Sequence, residues 1–277
     1  MADELHVMWD FADLTATEAR LRARLAEHLP DARRAEVLTQ LARVEGLRGD
    51  PAAGQQLLAE AEALAEPDSP GRVRVFLERG RLLRSAGAPE EALPLFVAAF
   101  VLAGHRGDAF LAVDAAHMAA LVDGVEEWTA KGVALAEASD DPQVREWLGP
   151  LWDNLGWSHF TAGRHEEALA AFTHAVAART EGSHDQAVAR YAVARALRAL
   201  GRPAEAVELM TLAVASSPPD GWLHEELAED YAALGRPGEA AEEAHRALDL
   251  LDAHQNPDRV ARLRALAGEP RWPVTGP

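Results

Sequence analysis

The chain has 277 residues, of which 48% are hydrophobic, and its formal net charge is −18. It contains no cysteine, which excludes disulfides, thiolate metal sites and cysteine nucleophiles. The negative charge argues against a nucleic-acid partner, because binding to phosphates needs a basic surface.

The first residues, Met1 to Leu5, have neither the basic residues nor the long apolar run of a signal peptide. No stretch approaches the roughly 18 apolar residues that cross a membrane. We therefore predict a cytoplasmic protein without a membrane partner.

Residues 1–34 are predicted to form an extended segment followed by a capping helix. Thr15 as N-cap and Glu18 three residues later match a capping box. Leucines then recur at four-residue spacing: Leu21, Leu25 and Leu29. The apolar segment 6–11 lies outside any repeat. It can pack on the first hairpin or insert into a neighbouring copy, so self-association stays possible.

A tripeptide Gly-x-Pro recurs four times, and a fifth copy keeps the glycine only: Gly49, Gly87, Gly201, Gly235 and, without proline, Gly163. Glycine suits the left-handed position that ends a helix, and proline suits the first turn of the next helix. Each copy therefore predicts the tight turn of an antiparallel helix pair.

The spacing of these glycines gives a repeat of about 34 residues with short insertions. We infer six units between residues 35 and 254: 35–68, 73–106, 109–142, 149–182, 187–220 and 221–254. Small residues recur where helices cross: Ala42, Gly80, Ala116, Gly156, Ala194 and Ala228. Such residues let two backbones approach closely.

One unit reads Trp152-x2-Leu155-Gly156-x2-His159, then Gly163 and Ala168-x3-Phe172-x2-Ala175, and the next has Ala206-x3-Met210-x2-Ala213 and Pro218. This pattern resembles the tetratricopeptide repeat (TPR) family, as a bacterial stand-alone TPR protein. The resemblance implies an all-α fold: an α-α superhelical solenoid of about six TPR helix hairpins with N- and C-terminal capping helices. The unit 109–142 departs from the pattern with Trp128, Gly132 and Leu135, so we expect a splayed or irregular hairpin there.

Residues 255–277 are predicted to form a C-terminal capping helix and a mobile tail. Asn256 is a good N-cap and Pro257 a good first helical residue, and Gly268 marks the end. Solenoids need such caps because an end hairpin otherwise exposes its apolar face.

Enzyme signatures are missing: the sequence has no phosphate-binding loop, no Gly-x-Ser-x-Gly and no His-Glu-x-x-His. We predict no catalytic residue, no cofactor and no metal. A hydrolase using His117 is disfavoured because no nucleophile–base pair is visible.

The resemblance implies that the first helix of each hairpin faces a concave groove. The candidate groove residues are Arg43, Arg74, Arg81, Arg84, Phe110, His117, Asn154, Trp157, Tyr191, Arg195, Arg198 and Trp222. Arginine binds carboxylates with charge-assisted hydrogen bonds, and aromatic rings supply contact area. Alternatively, these arginines pair with carboxylates inside the groove, such as Glu78, Asp114, Glu225 and Glu229.

We therefore predict a non-enzymatic scaffold that binds a protein or peptide partner, an extended segment with acidic or carboxylate groups. The alternative is a stand-alone peptide sensor whose superhelix changes shape on binding. A carboxylate clamp of the family is matched only by Asn154, because Asp153 and Tyr191 stand where it has lysines.

Overall fold

The computed structural model of the chain describes residues 3–251 and 256–269, which form fifteen α-helices and no β-strand. The predicted all-α fold of helix hairpins is confirmed. None of the helices in the described part is both long and apolar enough to cross a membrane. The chain divides into two compact units: unit 1 ends at Leu151 and unit 2 begins at Trp152.

Unit 1 begins with a single 3-10 turn at His6–Met8 and consists otherwise of helices. These are α1 (Leu14–Ala26), α2 (Asp31–Leu47), α3 (Pro51–Leu64), α4 (Pro70–Ser85), α5 (Pro89–His105), α6 (Ala109–Ala120), α7 (Val125–Glu137), the short α8 (Pro142–Arg145) and the start of α9 (Leu148–Thr161). The pairs α2/α3, α4/α5 and α6/α7 pack as hairpins, and the first helices α2, α4 and α6 also touch in succession.

Unit 2 holds the remainder of α9 and six further helices. These are α10 (His165–Ala177), α11 (His184–Ala199), α12 (Pro203–Ser216), α13 (Gly221–Ala233), α14 (Pro237–Leu250) and α15 (Pro257–Leu266). The pairs α11/α12 and α13/α14 pack as hairpins, and the first helices α11 and α13 are neighbours. Helix α15 packs on both α13 and α14.

The turn glycines take the predicted left-handed conformation. Their φ angles lie between 73° and 83° at Gly49, Gly87, Gly163, Gly201 and Gly235. In the four complete copies the following proline is the first residue of the next helix. The local chemistry of these tripeptides therefore sets where the hairpins turn.

Close crossing of the two helices of a hairpin depends on a small residue facing a large one. Gly80 on α4 lies against the ring of Phe96 on α5, so close that a Cβ atom would come within 2.5 Å of the ring. Phe96 is completely buried. Gly156 and Phe172 repeat this arrangement in unit 2.

The predicted N-cap of the first helix is wrong. Helix α1 begins at Leu14, and the side chain of Asp13 accepts a hydrogen bond from the backbone N–H of Ala16 at 2.8 Å. A carboxylate is favoured at this end because it also interacts with the helix dipole. Thr15 lies inside the first turn, and Leu29 lies beyond the end of the helix at Ala26.

The unit at 109–142 forms a packed hairpin of α6 and α7 and is followed by the extra helix α8. Gly132 leaves space that is taken by the side chain of Leu151. Trp128, which stands where a small residue is expected, packs edge-on against Phe100 at 5.3 Å between ring centroids. The departures from the repeat pattern are thus absorbed by local repacking.

The predicted cap of the last helix is confirmed. The side chain of Asn256 accepts hydrogen bonds from the backbone N–H groups of Asp258 and Arg259, and Pro257 is the first helical residue. Gly268 has a φ of 74° just after the helix. From residue 270 onwards, the tail predicted to be mobile lies outside the described residues.

Candidate functional site

The repeat places equivalent side chains on the same side of successive first helices. Arg43, Arg81 and Arg195 each lie six residues before the turn glycine of their hairpin, and Arg84 and Arg198 lie three residues before it. Residues three apart on a helix are neighbours on its surface. We define the inner face of unit 1 as the surface formed by α2, α4 and α6 on this side, and the inner face of unit 2 as the corresponding surface of α9, α11 and α13.

The inner face of unit 1 is covered by the N-terminal segment, residues 3–11. At one end, a carboxylate oxygen of Asp3 accepts a hydrogen bond from Arg74 on α4. At the other end, the indole Nε1 of Trp9 donates to Oε1 of Gln40 on α2 at 2.8 Å. The segment therefore crosses from one first helix to the next. It does so around the 3-10 turn at His6–Met8 and not in the extended conformation that the sequence predicted.

Further contacts fix the middle of the N-terminal segment. The ring of His6 packs edge-on against Phe110 on α6, with the centroids 5.3 Å apart. Leu5 is buried in a cluster with Leu21 of α1 and Leu41 of α2. Of the two interpretations of this segment, packing within the chain is the one observed.

Arg74 is a buried cation with two carboxylate partners. It pairs with Asp3 and, with its Nε 3.5 Å from a carboxylate oxygen, with Glu36. Burial alone would lower the pKa of Arg74, but the charges of Asp3 and Glu36 outweigh this effect and raise its pKa. One of these two partners, Asp3, belongs to the N-terminal segment, and the other belongs to α2.

Arg81 belongs to a buried ionic cluster between α4 and α6. It bonds to Glu78 at 2.5 Å and also to Asp114. Burial alone would raise the pKa of Asp114, but the guanidinium groups of Arg81 and Arg43 lower it. Pairing of Arg81 with inner carboxylates, the alternative raised by the sequence, is what the structure has.

His117 lies beside this cluster and contacts the ring of Trp147, with the centroids 5.1 Å apart. Burial, with a further contribution from the positive charge of Arg81, lowers the pKa of His117 to about 4. The imidazole is therefore neutral at physiological pH.

Arg43 contacts aromatic rings and forms no ion pair with a carboxylate of the described residues. Its guanidinium lies 4.9 Å from the ring centroid of Trp9 and 5.3 Å from that of Phe11. Burial, together with the charge of Arg81, lowers the pKa of Arg43. Cation–π contacts of this kind stabilise the cation but leave its N–H groups available for an anion.

A cavity of about 210 Å³ opens next to Arg43 on the inner face of unit 1. Two further arginines line it, Arg81 and the exposed Arg84, together with Glu78, which is paired with Arg81, and apolar side chains such as Leu82 and Met118. A site with guanidinium groups on an apolar floor suits a carboxylate that is attached to an apolar group.

In unit 2, three aromatic rings surround Arg195. Its guanidinium lies 5.6 Å from the centroids of both Trp157 and Tyr191 and 5.7 Å from that of Phe160. One N–H group donates to the hydroxyl of Tyr191 at 2.8 Å, and Nε is buried without a hydrogen-bond partner among the described residues. The predicted pairing of Arg195 with Glu225 or Glu229 does not occur.

Arg198 is instead neutralised by two carboxylates of α13. It donates to Glu226 at 2.5 Å and to Asp230 at 2.9 Å. Burial, and secondly the charge of Glu226, raises the pKa of Asp230 to about 8. Among the described residues, Arg195 presents its charge without a carboxylate partner, whereas Arg198 on the same helix is paired with two.

Trp222 on α13 is 44% exposed and is covered on one side by Arg259 of α15, whose guanidinium lies 3.3 Å from the ring centroid. Arg259 also pairs with Glu225 at 2.6 Å, and Arg262 pairs with Glu229 at 2.7 Å. Two arginines of α15 thus pair with two acidic side chains of α13, Glu225 and Glu229.

The predicted groove residues lie on the first helices of hairpins, and they divide between the two units. Unit 1 holds Arg43, Arg74, Arg81, Arg84, Phe110 and His117, and unit 2 holds Asn154 on α9 together with Trp157, Tyr191, Arg195, Arg198 and Trp222. Three participants were missed: Asp3, Asp230 and Arg259. No local pattern singles them out, because each acts on a residue of another element.

The chain is similar to known tetratricopeptide repeat proteins in sequence over one segment and in fold. The family model of the tetratricopeptide repeat matches residues 147–217. Among solved structures, the chain is similar to a tetratricopeptide repeat protein from Parabacteroides merdae ATCC 43184, with 15% identity, a TM-score of 0.51 and 96% of each chain covered. It is also similar to a chain of the APC/C hetero-tetramer Cut9-Hcn1, with 14% identity, a TM-score of 0.55 and 94% of this chain covered.

This chain covers 46% of that second relative, so it spans about half its length. At these identities the likeness is one of fold. None of the curated proteins matches the sequence significantly.

Proposed function

We propose that this chain, which has the fold of the tetratricopeptide repeat family, is a non-enzymatic scaffold that binds an extended segment of a partner protein. The observation that carries the proposal is the N-terminal segment on the inner face of unit 1, with Asp3 on Arg74 and Trp9 on Gln40. This surface already accommodates a chain segment that is folded around the 3-10 turn at His6–Met8 and has one acidic and one aromatic anchor. A related fold in the Cut9-Hcn1 hetero-tetramer is in keeping with a protein partner.

The chemistry of the free arginines supports a partner with acidic or carboxylate groups. Arg195 is oriented by three rings, and Arg84 lines the cavity of unit 1 from an exposed position. A carboxylate would gain charge-assisted hydrogen bonds from a guanidinium group that is already ordered, so little side-chain entropy is lost on binding. Arg81 and Arg198 are poor candidates for direct contact because inner carboxylates occupy them.

The test is a selection of binding peptides from a displayed random library with the full chain. The selected peptides are then measured against the variant R84A/R195A. We expect acidic peptides whose affinity falls by about tenfold or more in the variant, the loss typical of a charge-assisted contact. The matched control is R202A, because Arg202 is exposed and pairs only locally with Glu205.

Salt provides a second measurement, because exposed charge pairs are screened at high ionic strength. Binding that R84A/R195A leaves unchanged, or peptides that lack carboxylates, would refute the assignment of these arginines. The substitutions avoid Arg81 and Arg198, whose loss would leave buried carboxylates without a cation and destabilise the fold.

A further inference from the structure

We propose that the N-terminal segment, residues 3–11, is a displaceable self-ligand, which a partner carrying a carboxylate six residues before an aromatic side chain replaces on the inner face of unit 1. The spacing is that of Asp3 and Trp9, the two anchors of the segment, whose side chains form hydrogen bonds with the first helices α4 and α2. The inference rests on the proposed function and specifies the partner segment and its regulation.

The groups that bind the two anchors belong to the hairpins and stay in place without the segment. Arg74 keeps Glu36 as a partner when Asp3 leaves, so the buried cation is never left without a carboxylate. Gln40 is a buried amide on α2 that accepts the indole hydrogen bond. Both groups can therefore receive the same chemistry from another chain.

The rest of the segment is held by polar contacts and little buried apolar surface. Gln143 accepts a hydrogen bond from the backbone N–H of Asp3 at 2.5 Å, and Arg20 donates to the carbonyl of Met8 at 2.9 Å. Leu5 is its only buried apolar residue among those described; Met8 and Trp9 are partly buried beside it, whereas Val7 is 73% exposed and Phe11 is 61% exposed. Few buried apolar contacts are the property of parts of a protein that open locally, at a cost below that of global unfolding. The segment can thus leave while the hairpins stay folded.

A partner can also gain contacts that the segment does not make. After Phe11 the chain turns away into α1, and the carboxylate of Asp10 accepts hydrogen bonds from the backbone N–H groups of Ala12 and Asp13. The cavity beside Arg43 and Arg84 therefore lacks an acid from the segment. A partner that continues along the face can place a carboxylate there, which gives it an advantage over the tethered segment.

The test uses a labelled synthetic peptide of residues 2–12 and the full chain, with binding measured by fluorescence anisotropy. In the chain variant D3A/W9A both anchors are removed, and all hairpins keep their residues. We expect the peptide to bind D3A/W9A at least about tenfold more tightly than wild type, because a tethered segment competes at an effective concentration on the order of 1 mM.

Three controls define the site. A peptide with D3A and W9A should lose binding, a peptide with V7S should bind like the parent, and R74A added to D3A/W9A should weaken binding. Equal binding to wild type and D3A/W9A, or none to a folded D3A/W9A chain, would overturn the proposal. A wild-type dimer in light scattering would mean that the segment is exchanged between copies, and would overturn the assignment within one chain.

Hydrogen exchange of the wild type keeps the proposal testable if D3A/W9A does not fold. The amides of residues 3–11 should exchange at least about 100-fold faster than those of α2, as expected for local opening. Equal protection of both would refute the proposal.

The two proposals fail separately. Selected acidic peptides that bind wild type and D3A/W9A equally would leave the scaffold in place and remove the self-ligand. Tight binding of the peptide 2–12 to D3A/W9A, with no acidic peptide recovered from the library, would support the self-ligand and refute the scaffold for acidic partners.

Discussion

Asp230 and Glu226 lie one helical turn apart on α13 and share the single guanidinium group of Arg198. Both carboxylates are buried, and the second oxygen of Asp230 has no hydrogen-bond partner among the described residues. Two neighbouring carboxylates in such a place cannot both ionise without cost, so the pair retains a proton at neutral pH. The substitution that tests this is D230N, which keeps an oxygen to accept the bond from Arg198 and removes the charge.

The magnitude follows from the pKa values. The pKa of Asp230 is about 8 in the folded chain, against about 3.9 for an unfolded aspartate. Between these values the folded state holds more protons than the unfolded state, so the free energy of unfolding decreases as the pH rises. Each pH unit accounts for about 1.4 kcal/mol per proton, so wild type loses roughly 2–3 kcal/mol between pH 5 and pH 7 through this group.

Urea unfolding followed by circular dichroism at pH 5, 6 and 7 measures the effect. We expect D230N to gain about 2–3 kcal/mol relative to wild type over this range. The control is E208Q, because Glu208 is an exposed carboxylate on α12, and its difference from wild type should not vary with pH. A difference between D230N and wild type that is constant from pH 5 to pH 7 would refute the reasoning.

Three further substitutions or titrations test other parts of the structure. G80A should destabilise the chain by about 1–3 kcal/mol in thermal unfolding, because its Cβ atom would clash with the ring of Phe96; the higher helix propensity of alanine, about 1 kcal/mol, offsets part of this loss. Adding F96L to G80A should relieve the clash and recover part of the stability. A G80A chain as stable as wild type would contradict the close crossing. The imidazole of His117 should titrate near its pKa of about 4 in an NMR experiment. Because the unfolded state binds this proton more tightly, the free energy of unfolding should decrease as the pH falls from about 6.5 through 4. A titration midpoint above pH 6 would show that the ring is not buried. At pH 7, R198A should cost about 3–5 kcal/mol because it leaves the buried pair of Glu226 and Asp230, which then carries one negative charge, without its cation, whereas R195A should cost clearly less; equal losses would argue against the different partners of the two arginines.

Much of the fold could be predicted because its determinants are local. The turn glycines at 49, 87, 163, 201 and 235 adopt positive φ because only glycine does so without strain, and this preference belongs to the residue itself. The small residues at the helix crossings, Gly80 and Gly156, follow from the same repeat. The misplaced cap at Thr15 shows the limit: two residues of one stretch could cap, and the carboxylate of Asp13 does so.

The candidate site was predicted only in part. Position in the repeat placed Arg81, Arg195 and Arg198 on first helices, but it could not assign their partners. Arg81 and Arg198 pair with carboxylates, whereas Arg195 is enclosed by rings, although Arg81 and Arg195 occupy the same place before the turn. The difference arises from side chains on neighbouring helices.

The sequence by itself determined the helices, their turns and the side of each helix that carries the arginines, because these depend on backbone preference and on a short period. Only the tertiary structure decided which arginines are neutralised and that residues 3–11 cover the inner face of unit 1. Asp3 and Arg74 are 71 residues apart in the chain. Burial and charge act on groups that folding brings together over such distances, and no local pattern encodes them.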